Sequence, residues 1–319
     1  MNDNKKISIS VVVPIYNEEG NVSNLHKEIK DVCESNGYTY EIIFVNDGSS
    51  DDTDKICRTL RPLKYICMRK NFGQTAAMDA GIKAAKFDFI VTMDGDGQND
   101  PSDIPNMIEY LFKNNVDVVS GWRKNRKDTF MKRFVSRGAN LLRYLLVHDG
   151  IHDSGCSLKL YKKECFKGVN LYGEQHRFIP ALLKMKGFLI GEVIVNHRPR
   201  VSGYTKYNWK RTIKGFVDMI SLWFWNKFST RPLHLLGGMG LLFEIMGMIC
   251  GIWSIILFSM GMKMSQNIMP PLLTIFFIII GLIMIIFGLM SEILIKTYYG
   301  VHVDVPYSVK MIEEFDDAN

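Results

Sequence analysis

The sequence predicts an α/β domain with a mostly parallel, doubly wound sheet, followed by helices at a membrane interface and two transmembrane helices. Apolar β-branched runs alternate with segments of helical composition over residues 7–120. Two long apolar stretches lie near the C-terminus, and a cationic amphipathic segment precedes them. Strand–helix alternation predicts a parallel sheet covered by helices, and apolar stretches of about 20 residues predict membrane spans.

The alternating part supplies both kinds of element in order. Five apolar runs predict strands, at residues 7–13, 41–45, 64–68, 87–93 and 116–120. Four segments between them predict helices, at residues 18–35, 51–60, 74–86 and 102–114. Residues 121–205 are less regular and rich in Gly, Arg and His, so we expect a substrate-facing half there. Ligands bind beyond the carboxyl ends of the strands in such sheets, which locates the expected site.

Two stretches are long and apolar enough to span a bilayer. Residues 235–260 contain Glu244 as their only charge, and residues 272–291 contain none. At about 1.5 Å per residue, each can cross a hydrocarbon core of roughly 30 Å. The chain is therefore expected to be a membrane protein with a soluble N-terminal part.

A cationic segment lies directly before the first apolar stretch. Apolar residues recur at helical spacing from Trp209 to Phe224, while Lys210, Arg211 and Lys214 occupy the other face. This pattern predicts a helix in the membrane interface, with a core-packing helix as the alternative. Because basic residues concentrate on the cytoplasmic side, we expect a multi-pass protein of the inner (cytoplasmic) membrane whose soluble domain and tail are cytoplasmic.

Charge and composition exclude some classes of protein. Charged residues make up 23% of the chain and hydrophobic residues 47%, which excludes an intrinsically disordered protein. The net charge is +6, and an excess of cations beside a membrane suits anionic headgroups or a phosphate substrate. The six cysteines contain no CxxC pair and fit reduced thiols better than a disulfide framework.

An acidic loop, Asp94-Gly95-Asp96, follows the fourth predicted strand. Hard oxygen ligands with few protein donors suit Mg²⁺ or Mn²⁺ held jointly with substrate phosphates. The calcium-loop pattern fails, because Asn99 stands at its sixth position and Pro105 at its twelfth. Solvated turns use the same residue types. The motifs at the other strand ends therefore decide between a metal site and a simple turn.

Those strand ends carry two further motifs. Pro14-Ile15-Tyr16-Asn17-Glu18 follows the first strand, and Asn46-Asp47-Gly48-Ser49 follows the second. Neither a GxGxxG sequence nor a Walker A sequence is present, which argues against a nicotinamide dehydrogenase and a P-loop NTPase. The three motifs in this order resemble the family-2 glycosyltransferases of GT-A fold, which use nucleotide sugars.

Motifs along the rest of the chain resemble one branch of that family, the polyprenyl-phosphate glycosyltransferases, similar to dolichol-phosphate mannose synthase and bactoprenol glucosyltransferase. They are Arg69-Lys70-Asn71-Phe72-Gly73-Gln74, Gly121-Trp122-Arg123, Lys132-Arg133 with Ser136-Arg137, Asp153-Ser154-Gly155-Cys156, His176-Arg177-Phe178-Ile179-Pro180, Arg198-Pro199-Arg200, Gly203-Tyr204-Thr205-Lys206-Tyr207 and Arg231-Pro232. The resemblance covers nearly the whole chain.

The resemblance implies a role for individual residues. Nucleotide-sugar contacts are implied for Pro14, Tyr16, Glu18, Val45, Asp47, Gln74, Asp94 and Gly95. The implied ligands of Mg²⁺ or Mn²⁺ are Asp94, Asp96 and Gln98, and the implied lipid-phosphate contacts are Arg123, Arg137, Arg200 and Lys206. Catalytic roles fall to Asp96, Asp153 and Arg123, with Asp153 as either a general base or an orienting residue.

The resemblance also implies a domain organisation. Residues 1–205 would form a cytoplasmic GT-A catalytic domain and residues 206–230 amphipathic interface helices. Residues 231–297 would form two transmembrane helices and residues 298–319 a cytoplasmic tail. Bacterial members with two spans form tetramers, so we expect copies of the same chain as partners, together with the membrane, a nucleotide sugar and a polyprenyl phosphate. No nucleic-acid partner is expected.

The expected activity is an inverting transfer of one hexose from a nucleotide sugar, with UDP-glucose as the expected donor, to undecaprenyl phosphate. The product would serve as a lipid-linked donor for modification of cell-envelope glycans. The alternatives are another sugar (N-acetylglucosamine, mannose or an aminoarabinose derivative), another lipid acceptor, a processive polysaccharide synthase, and a non-catalytic membrane scaffold. A phosphate monoester has its second pKa near 6, so the acceptor needs little help from a base at neutral pH.

Overall fold

The structure is a computed structural model. It describes residues 7–124, 150–199, 220–221, 223–224, 227–228, 231–263 and 267–301. The chain forms two compact units, Met1–Leu222 and Trp223–Asn319. Eight cations singled out by the sequence lie outside the described residues: Lys132, Arg133, Arg137, Arg200, Lys206, Lys210, Arg211 and Lys214. Most of the predicted interface segment, residues 206–230, and the tail from residue 302 lie outside them as well.

The first unit is built on a seven-stranded sheet. Its strands are β1 (Ser8–Ile15), β2 (Thr39–Asn46), β3 (Lys64–Cys67), β4 (Phe89–Thr92), β5 (Val118–Trp122), β6 (Lys159–Lys162) and β7 (Ile190–Ile194). They lie in the order β3-β2-β1-β4-β6-β5-β7. Every neighbouring pair is parallel except the two pairs of β6, which runs antiparallel to β4 and β5. The mostly parallel α/β prediction is confirmed, whereas β6 and β7 fall in the region that the sequence left irregular.

Helices cover both faces of this sheet. They are α1 (Val22–Ser35), α2 (Thr53–Cys57), α3 (Gln74–Ala84), α4 (Ile104–Lys113) and α5 (Ile179–Met185), with short 3₁₀ turns at Pro101–Asp103, Lys163–Phe166 and Gln175–Arg177. Successive strand residues point to opposite faces. Val11 and Val13 of β1 therefore join the core under α1 and α4, while Val12 joins the core under α3 and α5.

One row of side chains across the sheet is polar. Thr92, Lys159, Ser120 and Glu192 are paired in register across β4, β6, β5 and β7, and residues paired in this way point to the same face. The first three are almost fully buried. The preceding row on this face, Ile90, Tyr161, Val118 and Ile190, packs into the core under α3 and α5. This face therefore changes from apolar to polar at the last residue of β4, Thr92, and two residues before the end of β5, at Ser120.

The second unit contains two long helices, α6 (Pro232–Ser259) and α7 (Met269–Val301). Both are long and apolar enough to cross a membrane, as the sequence predicts. They approach closely at glycines, because a Cβ on Gly240 would lie 2.8 Å from the carbonyl oxygen of Gly281. The Glu244 side chain lies against the same glycine of α7, with Oε1 2.8 Å from the position of a Cβ on Gly281. This contact gives the carboxylate within the apolar stretch a packing role between the helices.

Candidate active site

The predicted motifs at the ends of β1, β2 and β4 lie side by side. The Asn17 backbone N–H donates to Ser49 Oγ at 2.9 Å, which joins the first motif to the second. The acidic loop packs against the end of β1, where a Cβ on Gly95 would lie 2.7 Å from Ile15 Cγ2 and 3.2 Å from the Pro14 carbonyl oxygen. Only glycine permits that approach without displacing β1. Three motifs that are distant in the sequence therefore form one edge of the sheet.

The acidic loop holds two carboxylates with different partners. Gln74 Nε2 donates to Asp94 Oδ1 at 2.7 Å, and the Gln98 backbone N–H donates to Asp96 Oδ1 at 3.1 Å. Burial and the charge of Asp96 raise the pKa of Asp94, although Ser157, Arg123 and Lys159 act in the opposite direction. A nearby cation would therefore favour the ionised form of Asp94.

That electrostatic situation fits a divalent cation. In the part of the chain that the structure describes, no group of three or more His, Cys, Asp or Glu side chains could hold a metal ion by itself. A cation on Asp94 and Asp96 would take its remaining ligands from substrate phosphates and water, as Mg²⁺ does at nucleotide sites. Gln98, the third predicted ligand, directs its Nε2 toward the Arg198 carbonyl oxygen.

Asp47 holds a backbone turn. Its Oδ1 accepts the Phe72 N–H at 2.7 Å and its Oδ2 accepts the Gly73 N–H at 2.9 Å. Gly73 directly precedes α3, whose first residue is the Gln74 that bonds Asp94. Asp47 therefore positions Gln74, in addition to any contact with a nucleoside that its remaining lone pairs allow.

The other residues with expected nucleotide contacts fall into two groups. Tyr16 and Glu18 are half-buried at the site edge, and Glu18 Oε2 accepts from Asn21 Nδ2 at 2.6 Å. Val45 differs from the expectation, because its side chain is fully buried in the core under α3, where it meets Gly81. The alternation of β2 turns Val45 inward, so it supports the end of the strand and does not line an open surface.

Arg123 and Asp153 form a buried ion pair beside the acidic loop. Arg123 Nε donates to Asp153 Oδ2 at 2.7 Å and Nη2 donates to Oδ1 at 3.0 Å. The two side chains are only 12% and 16% exposed. Burial alone would lower the pKa of Arg123, but the hydrogen bonds and charge of Asp153 outweigh it and raise that pKa. Asp153 therefore occupies Nε and Nη2 of Arg123, and no described residue forms a hydrogen bond with Nη1.

Lys159 is a buried cation under the same site, and the sequence did not single it out. It is 2% exposed, and its Nζ donates to the Ser154 carbonyl oxygen at 3.3 Å. Burial lowers the pKa of Lys159 to about 8, against the attraction of Cys156, Asp153 and Asp94. The sequence signal for this buried lysine is its position between two leucines, Leu158 and Leu160.

The segment before Arg200 is tied to the acidic loop. The Arg198 backbone N–H donates to the Gln98 carbonyl oxygen at 2.9 Å, and the Arg198 guanidinium pairs with Asp100 and Glu28. The described part of this segment ends at Pro199.

The predicted His176-Arg177-Phe178-Ile179-Pro180 motif is joined to α3, the helix that carries Gln74. Thr75 Oγ1 of α3 lies 2.7 Å from His176 Nδ1, and this contact is buried.

Comparison with known proteins identifies the family. The family model for glycosyl transferase family 2 matches residues 10–169. The chain belongs to glycosyltransferase family 2, and it is a glycosyltransferase. Within that family its relatives are polyprenyl-phosphate sugar transferases. A dodecaprenyl-phosphate galacturonate synthase from Rhizobium johnstonii is 37% identical over 99% of this chain and 95% of the relative.

A second relative also acts on a polyprenyl phosphate, and two solved structures share the fold. An undecaprenyl-phosphate 4-deoxy-4-formamido-L-arabinose transferase from Edwardsiella ictaluri is 30% identical over 98% of this chain and 96% of that protein. Among solved structures, glucosyl-3-phosphoglycerate synthase from Mycobacterium tuberculosis with Mn²⁺, UDP and product has a TM-score of 0.55 at 16% identity, over 69% of this chain and 80% of that one. A mannosyltransferase from Pyrobaculum calidifontis with GDP-Man and Mn²⁺ has a TM-score of 0.51 at 17% identity, over 68% and 65%. These structures share the GT-A fold.

Proposed function

We propose that this protein transfers one sugar from a UDP-sugar to undecaprenyl phosphate at the cytoplasmic face of the inner membrane. The observation that carries the proposal is the combination of a paired-carboxylate loop with an adjacent buried Arg123–Asp153 pair, in a chain that continues into two apolar helices. The loop suits a nucleotide diphosphate with its cation, and the arginine suits a second phosphate.

Two sugars are proposed for the donor. Glucose follows from the resemblance of the motifs to bactoprenol glucosyltransferases, and galacturonic acid follows from the relative that is 37% identical over almost the whole chain. Purified full-length protein would be assayed with UDP-glucose, UDP-galacturonate and UDP-4-deoxy-4-formamido-L-arabinose. A donor that supports UDP release only when undecaprenyl phosphate is added identifies the sugar. The scaffold alternative requires that no donor does so.

The reaction would proceed by attack of an acceptor phosphate oxygen on the anomeric carbon, opposite the departing UDP, with inversion of configuration. Mg²⁺ or Mn²⁺ on Asp94 and Asp96 would offset the charge that develops on the diphosphate. Arg123 would bind the acceptor phosphate through Nη1, while Asp153 holds Nε and Nη2. Because the phosphate is already anionic at neutral pH, we assign Asp153 an orienting role and no proton transfer. Arg137, Arg200 and Lys206 would complete the lipid-phosphate site.

The remaining parts of the chain would hold this site at the membrane. In this proposal α6 and α7 cross the bilayer, residues 206–230 lie in the interface, and residues 298–319 return to the cytoplasm. Residues 1–205 form the catalytic domain. Assembly into oligomers is proposed from the close approach that glycines allow between apolar helices.

Asp96→Asn tests the metal assignment. It removes charge from a cation ligand while keeping the size of the side chain, so turnover should fall by more than about tenfold. Asp88→Asn is the control: it makes the same chemical change at an exposed residue directly before β4 begins, far from the acidic loop that follows β4, and should leave turnover unchanged. Turnover is measured as UDP release by the full chain, with thermal unfolding as the check on folding. Near-native turnover of Asp96→Asn in excess Mn²⁺ would contradict the assignment.

A further inference from the structure

We infer that Glu192 is a positioning residue, which sets the Asp153–Arg123 pair for the acceptor phosphate. Glu192 lies on β7, and neither the motifs nor the family resemblance singled it out. The inference rests on the proposed role of Arg123 and adds the residue on which that role depends. Glu192 itself touches neither substrate in this scheme.

One carboxylate holds two consecutive residues of the loop before β6. Glu192 Oε1 accepts the backbone N–H of His152 at 2.9 Å and that of Asp153 at 3.1 Å. Its Oε2 lies 2.7 Å from His152 Nδ1. The Glu192 side chain is only 12% exposed, although His152 is 66% exposed. A largely buried carboxylate with three partners on one loop fixes the backbone there more strongly than a solvated one, because its hydrogen bonds are charge-assisted.

Asp153, held by Glu192, in turn holds the guanidinium of Arg123. Asp153 bonds Arg123 through both carboxylate oxygens, and it also accepts the Arg123 backbone N–H at 3.3 Å. Gly155 leaves room for this arrangement, since a Cβ there would lie 3.3 Å from Arg123 Nη2. A shift of the Asp153 backbone would therefore move the guanidinium, including the Nη1 proposed to bind the acceptor phosphate.

Glu192 and Arg123 are carried by two paired strands, β7 and β5. Arg123 directly follows β5, and β5 pairs with β7 so that Ser120 stands opposite Glu192. The Trp122 ring stacks on the His152 ring at 4.4 Å and 16°, which restrains the loop from the side of β5. Glu192 thus fixes the loop relative to the strand that delivers Arg123. A misplacement of about 1 Å at a phosphate-binding group can lower the rate about a hundredfold.

Four variants of the full-length protein test the inference, with kcat and the two KM values measured separately. Glu192→Ala should raise the KM for undecaprenyl phosphate at least about tenfold and lower kcat, while the KM for the UDP-sugar stays within about twofold. Glu192→Gln keeps an oxygen for both backbone N–H groups and should stay within about threefold of native. Glu109→Ala, on the exposed side of α4, is the matched control and should change nothing. Arg123→Ala should raise the acceptor KM by itself.

The outcomes separate this inference from the proposed function. Native kinetics for Glu192→Ala, equal effects on both KM values, or no recovery in Glu192→Gln would overturn the positioning role while Arg123→Ala still impairs acceptor use. An unchanged acceptor KM in Arg123→Ala would overturn the proposed role of Arg123 itself. If Glu192→Ala does not fold, Glu192→Asp replaces it, because withdrawing the carboxylate by about 1.5 Å should also raise the acceptor KM. A native acceptor KM in Glu192→Asp would then overturn the inference.

Discussion

Replacing Lys159 by methionine should stabilise the protein at neutral pH and impair its activity. The lysine is 2% exposed, and its one hydrogen bond to a described residue is 3.3 Å long. Burial lowers its pKa from 10.5 to about 8, even though nearby acids favour the charged form. Methionine has similar length and carries no charge. The substitution therefore removes a cation that the fold holds at a cost.

The pKa gives the size and the sign of the effect. A decrease from 10.5 to about 8 corresponds to about 3 kcal/mol against the charged lysine in the folded state. Between pH 8 and 10.5 the unfolded chain binds more protons than the folded chain, so native stability rises with pH across that window. Lys159→Met lacks this dependence. It should exceed the native protein in stability by about 3 kcal/mol at pH 7 and by about 1 kcal/mol at pH 10.

Thermal unfolding in detergent can measure that difference. For a domain of this size, 1 kcal/mol corresponds to about 2–4 °C in Tm. The variant should thus unfold about 6–12 °C above the native protein at pH 7 and only about 2–4 °C above it at pH 10. Lys167→Met, at an exposed lysine, should match the native protein at both pH values. A gap that does not change with pH, or a variant less stable than native at pH 7, would refute the reasoning. Turnover of Lys159→Met should fall, because the cation acts on Asp94 and Asp153.

Two further predictions concern the acidic loop and the helix pair. The increase in Tm that Mn²⁺ gives in the presence of UDP should shrink as the pH falls, because burial and Asp96 raise the pKa of Asp94 and protons then compete with the cation; an increase independent of pH would count against Asp94 as a ligand. Gly240→Val should destabilise the contact of α6 with α7 by about 1–3 kcal/mol, since a Cβ there already lies 2.8 Å from the Gly281 carbonyl oxygen. Gly238→Val, where a Cβ meets nothing within 4 Å, is its control in the same unfolding measurement, and equal effects would contradict the predicted packing.

The sequence predicts the first five strands well because each is a local apolar run that ends in a polar motif. β1 and β4, for example, were expected at residues 7–13 and 87–93 and lie at Ser8–Ile15 and Phe89–Thr92. β6 was missed because Lys159-Leu160-Tyr161-Lys162 is short, begins and ends with a charge, and is defined by antiparallel pairing with two distant strands. Such pairing depends on tertiary context that no local pattern reports.

In the candidate site, too, the sequence predicts the local motifs but not the contacts between distant residues. The spacing of Asp94 and Asp96 at a strand end is visible in the sequence, and the structure places both there. The contact of Glu192 with Asp153 joins residues 39 apart, and only the register of β5 with β7 brings them together. Val45 is a nucleotide contact only by what the resemblance implies, and the alternation of β2 directs its side chain into the core, which the linear sequence does not show.

The antiparallel direction of β6 has a consequence for how this enzyme can diversify. Because β5 and β6 run in opposite directions, the end of β5 at Trp122 and the start of β6 at Lys159 lie at the same edge of the sheet, and the chain between them is described as far as Lys124 and again from Gly150. Because β5 also pairs with β7 and β6 also pairs with β4, we expect the pairing of these strands to tolerate a change of length between those two points. In the proposed scheme, the acceptor contact that falls between those points, Arg137, could therefore change between relatives while β1 to β4, which carry the nucleotide motifs, stay constant. A chimera that carries residues 125–149 from a relative with another lipid acceptor is the natural way to use that separation.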